Sequence, residues 1–171
     1  AHGHSDLLSF ELFSKGVPLI VETGTSIYGN NKKRYYERSG GAHNILQLAP
    51  FKKKDQGLIE RIEPIEVWGN FRAARKAKVI ERVGMILEDG TIFMKGSNDA
   101  NLSYGATYTR IIKLKEIEGK DVLLEVIDEI NCKKKMYWRQ FWHIGPEQTL
   151  EFIMPIVFEL RKKYIFKEKF L

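Results

Sequence analysis

The sequence predicts an all-β fold of antiparallel strands, a sandwich or a barrel. Three observations carry that expectation. Short apolar runs alternate with turn residues along most of the chain. Two pairs of runs are joined by hairpin signals, at Asp89-Gly90 and at Glu118-Gly119-Lys120. Helical periodicity is scarce. A length of 171 residues suits one domain with enough chain to bury a core, so a single domain over 1–171 is expected.

The elements follow in order. "LLSFELF" (7–13) alternates in part and ends at Ser14-Lys15-Gly16, a hairpin-type turn. "VPLIVETGT" is the return strand, with Pro18 near its start, where an edge strand tolerates it. "KKRYYERSGGAHN" is polar, aromatic and Gly-rich together, and reads as a loop. "GNFRAARKAKVIERVG" has basic residues crowding poor apolar spacing, and reads as strand or loop. "GMILEDGTIFMKG" is the clearest hairpin, and Asp89-Gly90 suits a type I′ turn. In the next strand, Tyr108, Arg110, Ile112 and Leu114 share one face, and Thr109, Ile111 and Lys113 the other. "KKKMYWRQFWHIGP" is a further strand stopped by Gly145-Pro146, and "PIVFELRKKYIFKEKFL" suits terminal strands or a short helix.

Composition excludes some classes. Hydrophobic residues at 43% and aromatics at 12% argue against disorder. Lys and Arg outnumber Asp and Glu by 28 to 22, a net charge of +6. That excess favours polyanionic partners without choosing among nucleic acid, acidic polysaccharide and a membrane surface. The lone Cys132 permits no internal disulfide, and no His/Asn partnership marks it as catalytic. No apolar run approaches the roughly 20 residues of a membrane span. The Lys52–Lys54 and Lys133–Lys135 runs are read as solvated turns, and His143 with Trp138 and Trp142 as packing.

Chemistry concentrates at the start. His2, His4 and Asp6 fall at i, i+2 and i+4, one face of an extended segment, and this is a spacing that metal sites use. A surface strand or a tag remnant would carry the same pair of histidines. The H-x-H-x-D-H motif of metallo-β-lactamases is set aside, because Leu7 follows Asp6 and alternating helices are lacking.

Read further, three blocks resemble the C-terminal domain of the heparinase II/III family of polysaccharide lyases. They are "HGHSDLLSF", "GVPLIVETGT" and "RYYERSGGAHN", in order over residues 2 to 48. Weaker echoes follow in "YTRIIKLKEIEGKDVLLEVIDEI" and "FWHIGP". The resemblance implies an antiparallel β-sandwich that packs on an N-terminal α/α toroid, absent from this chain, with the sugar cleft between. It implies zinc held by His4, Glu22 and His43. The family carries aspartate where this chain has Glu22, one methylene longer. His2 matches the cleft histidine, the implied catalytic residue.

Arg34, Tyr35, Arg38 and Asn44 are the candidate substrate contacts. Arginine suits carboxylate and sulfate, and tyrosine stacks on sugar rings. Asp6 is expected to orient the histidines. The implied partner is a uronic-acid-containing polysaccharide such as a glycosaminoglycan or alginate, cleaved by β-elimination, in a periplasmic or secreted bacterial setting. The domain alone is expected to be inactive. A non-catalytic carbohydrate-binding or polysaccharide-assembly module is the alternative, and nucleic acid is not an expected partner, since no stacking motif supports it.

Overall fold

The computed structural model describes residues 3–50, 67–68, 72–73, 77–116, 122–134, 136–146, 156–160 and 163–170. Its strands are β1 (Leu12–Ser14), β2 (Val17–Ile20), β3 (Leu46–Pro50), β4 (Val67–Trp68), β5 (Arg72–Ala73), β6 (Val79–Ile86), β7 (Ile92–Asn98), β8 (Ala106–Glu116), β9 (Val122–Cys132), β10 (Met136–Gln140), β11 (Ile156–Leu160) and β12 (Lys163–Phe170). Among the described residues there is one α-helix, α1 (Lys32–Arg38), between β2 and β3. All strand pairs are antiparallel, so the fold is all-β as expected, consistent with a sandwich and not closed into a barrel. Among the described residues, no helix is long and apolar enough to cross a membrane.

The chain divides into two compact units. The first comprises Ala1–Ala77 with Lys134–Leu150, the second Lys78–Lys133 with Glu151–Leu171. In the first unit β1 pairs with β2, β3 with β10 and β4 with β5. The β1–β2 hairpin closes through Lys15 (φ 51°) and Gly16 (φ 80°), with Ser14 opposite Val17. Two successive positive-φ residues make this the type I′ turn whose twist matches that of the strands. The segment after β10 returns beside β2. Val21 N–H donates to the His143 carbonyl at 2.9 Å, and Gly145 N–H to Leu19 at 3.0 Å. A Cβ at Gly145 would run into the Pro18 carbonyl, so only glycine permits that approach. Ile20, Ala42, Ile45, Leu46 and Leu48 form the buried apolar set of this unit.

Among the described residues, the strands of the second unit form a six-stranded sheet in the order β11-β12-β9-β8-β7-β6. The Asp89-Gly90 hairpin forms, but with a different turn. Gly90 N–H donates to the Leu87 carbonyl (2.9 Å) and Leu87 N–H to the Thr91 carbonyl (2.8 Å), and only Gly90 has positive φ (81°). This is a three-residue loop, a type I turn closed by a left-handed glycine, rather than type I′. The Asp89 carboxylate selects it by accepting the Thr91 N–H at 3.0 Å. The face reading of β8 holds: Tyr108, Arg110 and Ile112 are buried, while Thr109, Ile111 and Lys113 are not. β8 and β9 form the expected hairpin, from Ala106 opposite Cys132 to Glu116 opposite Val122. The Glu118-Gly119-Lys120 turn lies outside the described residues, as do Lys52–Lys54. The terminal segment is strand, β11 and β12, not helix.

Candidate functional site

The segment read as a loop contains α1, and that helix organises the site. Asn31 caps it, with Oδ1 accepting the Arg34 N–H at 2.9 Å. The helix has no apolar stripe; its inward face is Arg34, Glu37 and Arg38. Arg34 and Arg38 are four residues apart and therefore lie on one side. A 3-10 turn at Gly40–Ala42 then delivers His43 in extended conformation, followed by Asn44.

Three expected metal-site residues meet here. His43 Nδ1 contacts Glu22 Oε2 directly. The His4 and His43 rings lie 5.3 Å apart at 49°. Glu22 follows β2, and its Oε1 accepts from the Ser9 hydroxyl and from Asn44 N–H (3.3 Å). Its own N–H donates to Glu11 Oε1 at 3.2 Å. Burial pushes the Glu22 carboxyl up, but the His43 and Ser9 hydrogen bonds outweigh it, leaving the group below its ordinary range. His4 is pushed down, first by burial and then by the charges of His43 and Arg34, so it favours the neutral form. Beside this group opens a cleft of about 390 Å³, lined by Asp6, Ser9, Phe10, Glu11, Glu22, Gly24 and His43.

The four expected substrate contacts divide. Tyr35 is exposed, its hydroxyl donating to Asn30 Oδ1 at 2.7 Å. Arg34, Arg38 and Asn44 are buried, at 2%, 0% and 0% exposure. Arg34 Nη1 donates to Thr25 Oγ1 (3.0 Å) and lies 3.4 Å from His4 Nε2. The Arg38 guanidinium holds the Gly3 carbonyl through Nε (3.0 Å) and Nη2 (2.9 Å). Asn44 Nδ2 donates to the carbonyls of Phe10 (3.1 Å) and Val21 (2.8 Å), and its Oδ1 accepts the His143 N–H at 2.7 Å. His2 lies outside the described residues.

Two more residues belong to this neighbourhood, Ser9, which the sequence reading did not single out, and His143, which it read as packing. Ser9 links Glu22 to the Asn44 N–H, which donates to its hydroxyl at 2.9 Å. His143 sits against Asn44, with Nδ1 at 3.3 Å from Oδ1. Burial pushes its imidazole down, and the charge of Glu22 partly opposes that shift. Their signals were present in the L-S-F and F-W-H-x-x-P blocks.

The donor types fit zinc: two imidazoles and a carboxylate, gathered from three separate segments. Glu22 Oε2 faces His43 Nδ1, so an ion shared by the two would lie on that side of the ring; His43 Nε2 is buried without a hydrogen-bond partner. Among the described residues, the donors do not already surround a common point.

An antiparallel β fold thus gathers two imidazoles and a carboxylate beside a cleft. The chain belongs to the Heparinase II/III-like, C-terminal family, which matches residues 1–162. It is thus a polysaccharide-lyase family domain. No curated protein and no solved structure gives a significant match.

Proposed function

We propose that this domain forms one side of the cleft of a lyase that cleaves a uronic-acid-containing polysaccharide by β-elimination, in a periplasmic or secreted bacterial setting. One observation carries the reading: the meeting of His4, Glu22 and His43 from the three sequence blocks that define the family resemblance. β-Elimination removes the uronate C5 proton and expels the 4-linked oxygen. That proton is acidic enough only when the neighbouring carboxylate is neutralised by hydrogen bonds or cations.

The chain's own groups suit parts of this task. His2 is the proposed cleft histidine, donating to the uronate or assisting proton transfer. His4, Glu22 and His43 would hold the zinc, whose positive charge would tie the three segments together. Ser9 and Asn44 fix the Glu22 carboxylate where it faces His43 Nδ1. Tyr35, exposed on α1, is the proposed sugar contact.

The toroid is proposed to supply the remaining sugar contacts and the main base, so the domain alone is inactive. Incubation with a panel of acidic polysaccharides tests this, read by the ultraviolet absorbance of unsaturated uronate. The expected result is no turnover by this chain and turnover by a form that includes the toroid. Turnover by the chain alone overturns the two-part reading. The direct Glu22–His43 contact favours one alternative, a metal-free carbohydrate-binding module. A stable protein without bound metal would support it.

A further inference from the structure

We propose that Arg38 is a positioning residue that brackets His4. Its guanidinium holds the Gly3 carbonyl on one side of the histidine, and its main-chain carbonyl takes the Ser5 N–H on the other. The inference rests on the reading above only in treating His4 as a site residue.

The geometry is specific. Two guanidinium N–H groups, Nε at 3.0 Å and Nη2 at 2.9 Å, converge on the single Gly3 oxygen. Ser5 N–H returns to the Arg38 carbonyl at 2.9 Å. Both neighbours of His4 are thereby tied to one residue at the end of α1. Ser5 and Arg38 are fully buried, both at 0% exposure. A guanidinium meant for a polymer in solvent would be presented at the surface. Here a permanent charge is kept inside and used on a main-chain carbonyl, an arrangement suited to fixing a backbone.

One helical turn earlier, Arg34 Nη1 lies 3.4 Å from His4 Nε2. The helix thus places one arginine at the ring of His4 and the other at its flanking backbone. Lysine at position 38 would keep the charge and one contact, but not the two-pronged hold.

Amide hydrogen exchange on the metal-free chain tests the bracket. Arg38→Met should speed exchange at Ser5 on the order of tenfold. The Phe141 amide, which donates to Ile45 at 2.9 Å in the same unit, should not change. Arg38→Lys should recover part of the Ser5 protection. In a competition of Zn²⁺ against a chromophoric chelator, Arg38→Met should weaken binding about tenfold, with partial rescue by Arg38→Lys.

Unchanged Ser5 exchange overturns the proposal. So does equal acceleration at Ser5 and Phe141, which would mean general loosening. Should Arg38→Met fail to fold, Arg38→Lys carries the test, and a wild-type Ser5 rate in that variant overturns it. A wild-type chain that binds no Zn²⁺ removes the metal reading, while the exchange pattern still decides the bracket.

Discussion

Each unit buries arginine, and the two treat it differently. In the second, Arg110 lies opposite Asp128 in the β8–β9 register and holds it with two parallel bonds, Nε to Oδ1 at 2.7 Å and Nη2 to Oδ2 at 2.8 Å. Tyr108 adds a third donor to Oδ1 at 2.9 Å. The carboxylate is fully buried and cancels the charge in place. In the first unit, Arg34 has Glu37 at 3.9 Å, a hydroxyl, and the edge of an imidazole, and its buried Nε makes no hydrogen bond. His43 Nε2 is likewise buried and unbonded. A matched ion pair is a structural solution. A cluster with unspent donors and acceptors retains capacity for a ligand, and it lies where the family's blocks converge.

Breaking the matched pair should have the largest effect. Asp128→Asn leaves a buried guanidinium uncompensated and should cost about 3–5 kcal/mol in chemical denaturation. Replacing both partners, Arg110→Met with Asp128→Leu, should recover most of that loss. Neither change should alter metal content, and a loss of metal with full retention of stability would reverse the assignment of the two regions.

Asn44→Ala comes next. It strips donors from the Phe10 and Val21 carbonyls and the acceptor from His143 N–H, and should cost about 3 kcal/mol. A value below about 1 kcal/mol would mean that these bonds do not tie the segments together.

Acid should separate the regions further. His4 and His143 are held below their ordinary value of 6.5, so the unfolded chain takes up protons first. Their contribution is present above that pH and fades as the pH falls through the lowered values. Glu22, held below its ordinary 4.5, adds stability that is lost at still lower pH. Denaturation followed from neutral to acid should therefore show falling stability, with Glu22→Gln flattening the lower limb and His143→Gln the upper one.

The smallest effect should be on the surface. Glu81→Gln removes the half-exposed pair with Lys95 at 2.7 Å and should change stability by less than about 1 kcal/mol.

Strand pairing was legible in the sequence because its signals are local. The Lys15-Gly16 turn, the β6–β7 and β8–β9 hairpins and the buried face of β8 all follow from turn residues and a period of two. α1 was not legible, because its inward face is arginine and glutamate, which leaves no apolar period to read. Asn31 ahead of it and Gly40-Gly41 after it were the available signs. The turn at Asp89-Gly90 was misread because the Asp89 side chain engages Thr91. The site was legible only as a resemblance: His4, Glu22 and His43 are up to 39 positions apart (43 − 4), and no periodicity links them. Burial of Arg34 and Arg38 could not be read from residue type, since charged residues usually face water.

His4, Glu22 and His43 are the proposed zinc site of this polysaccharide-lyase family domain. Metal analysis of the purified chain tests it most directly, with His43→Ala and Glu22→Gln beside it. The expected result is about one zinc per wild-type chain and little in either variant, both still folded. A folded wild-type chain free of metal after incubation with zinc would contradict it.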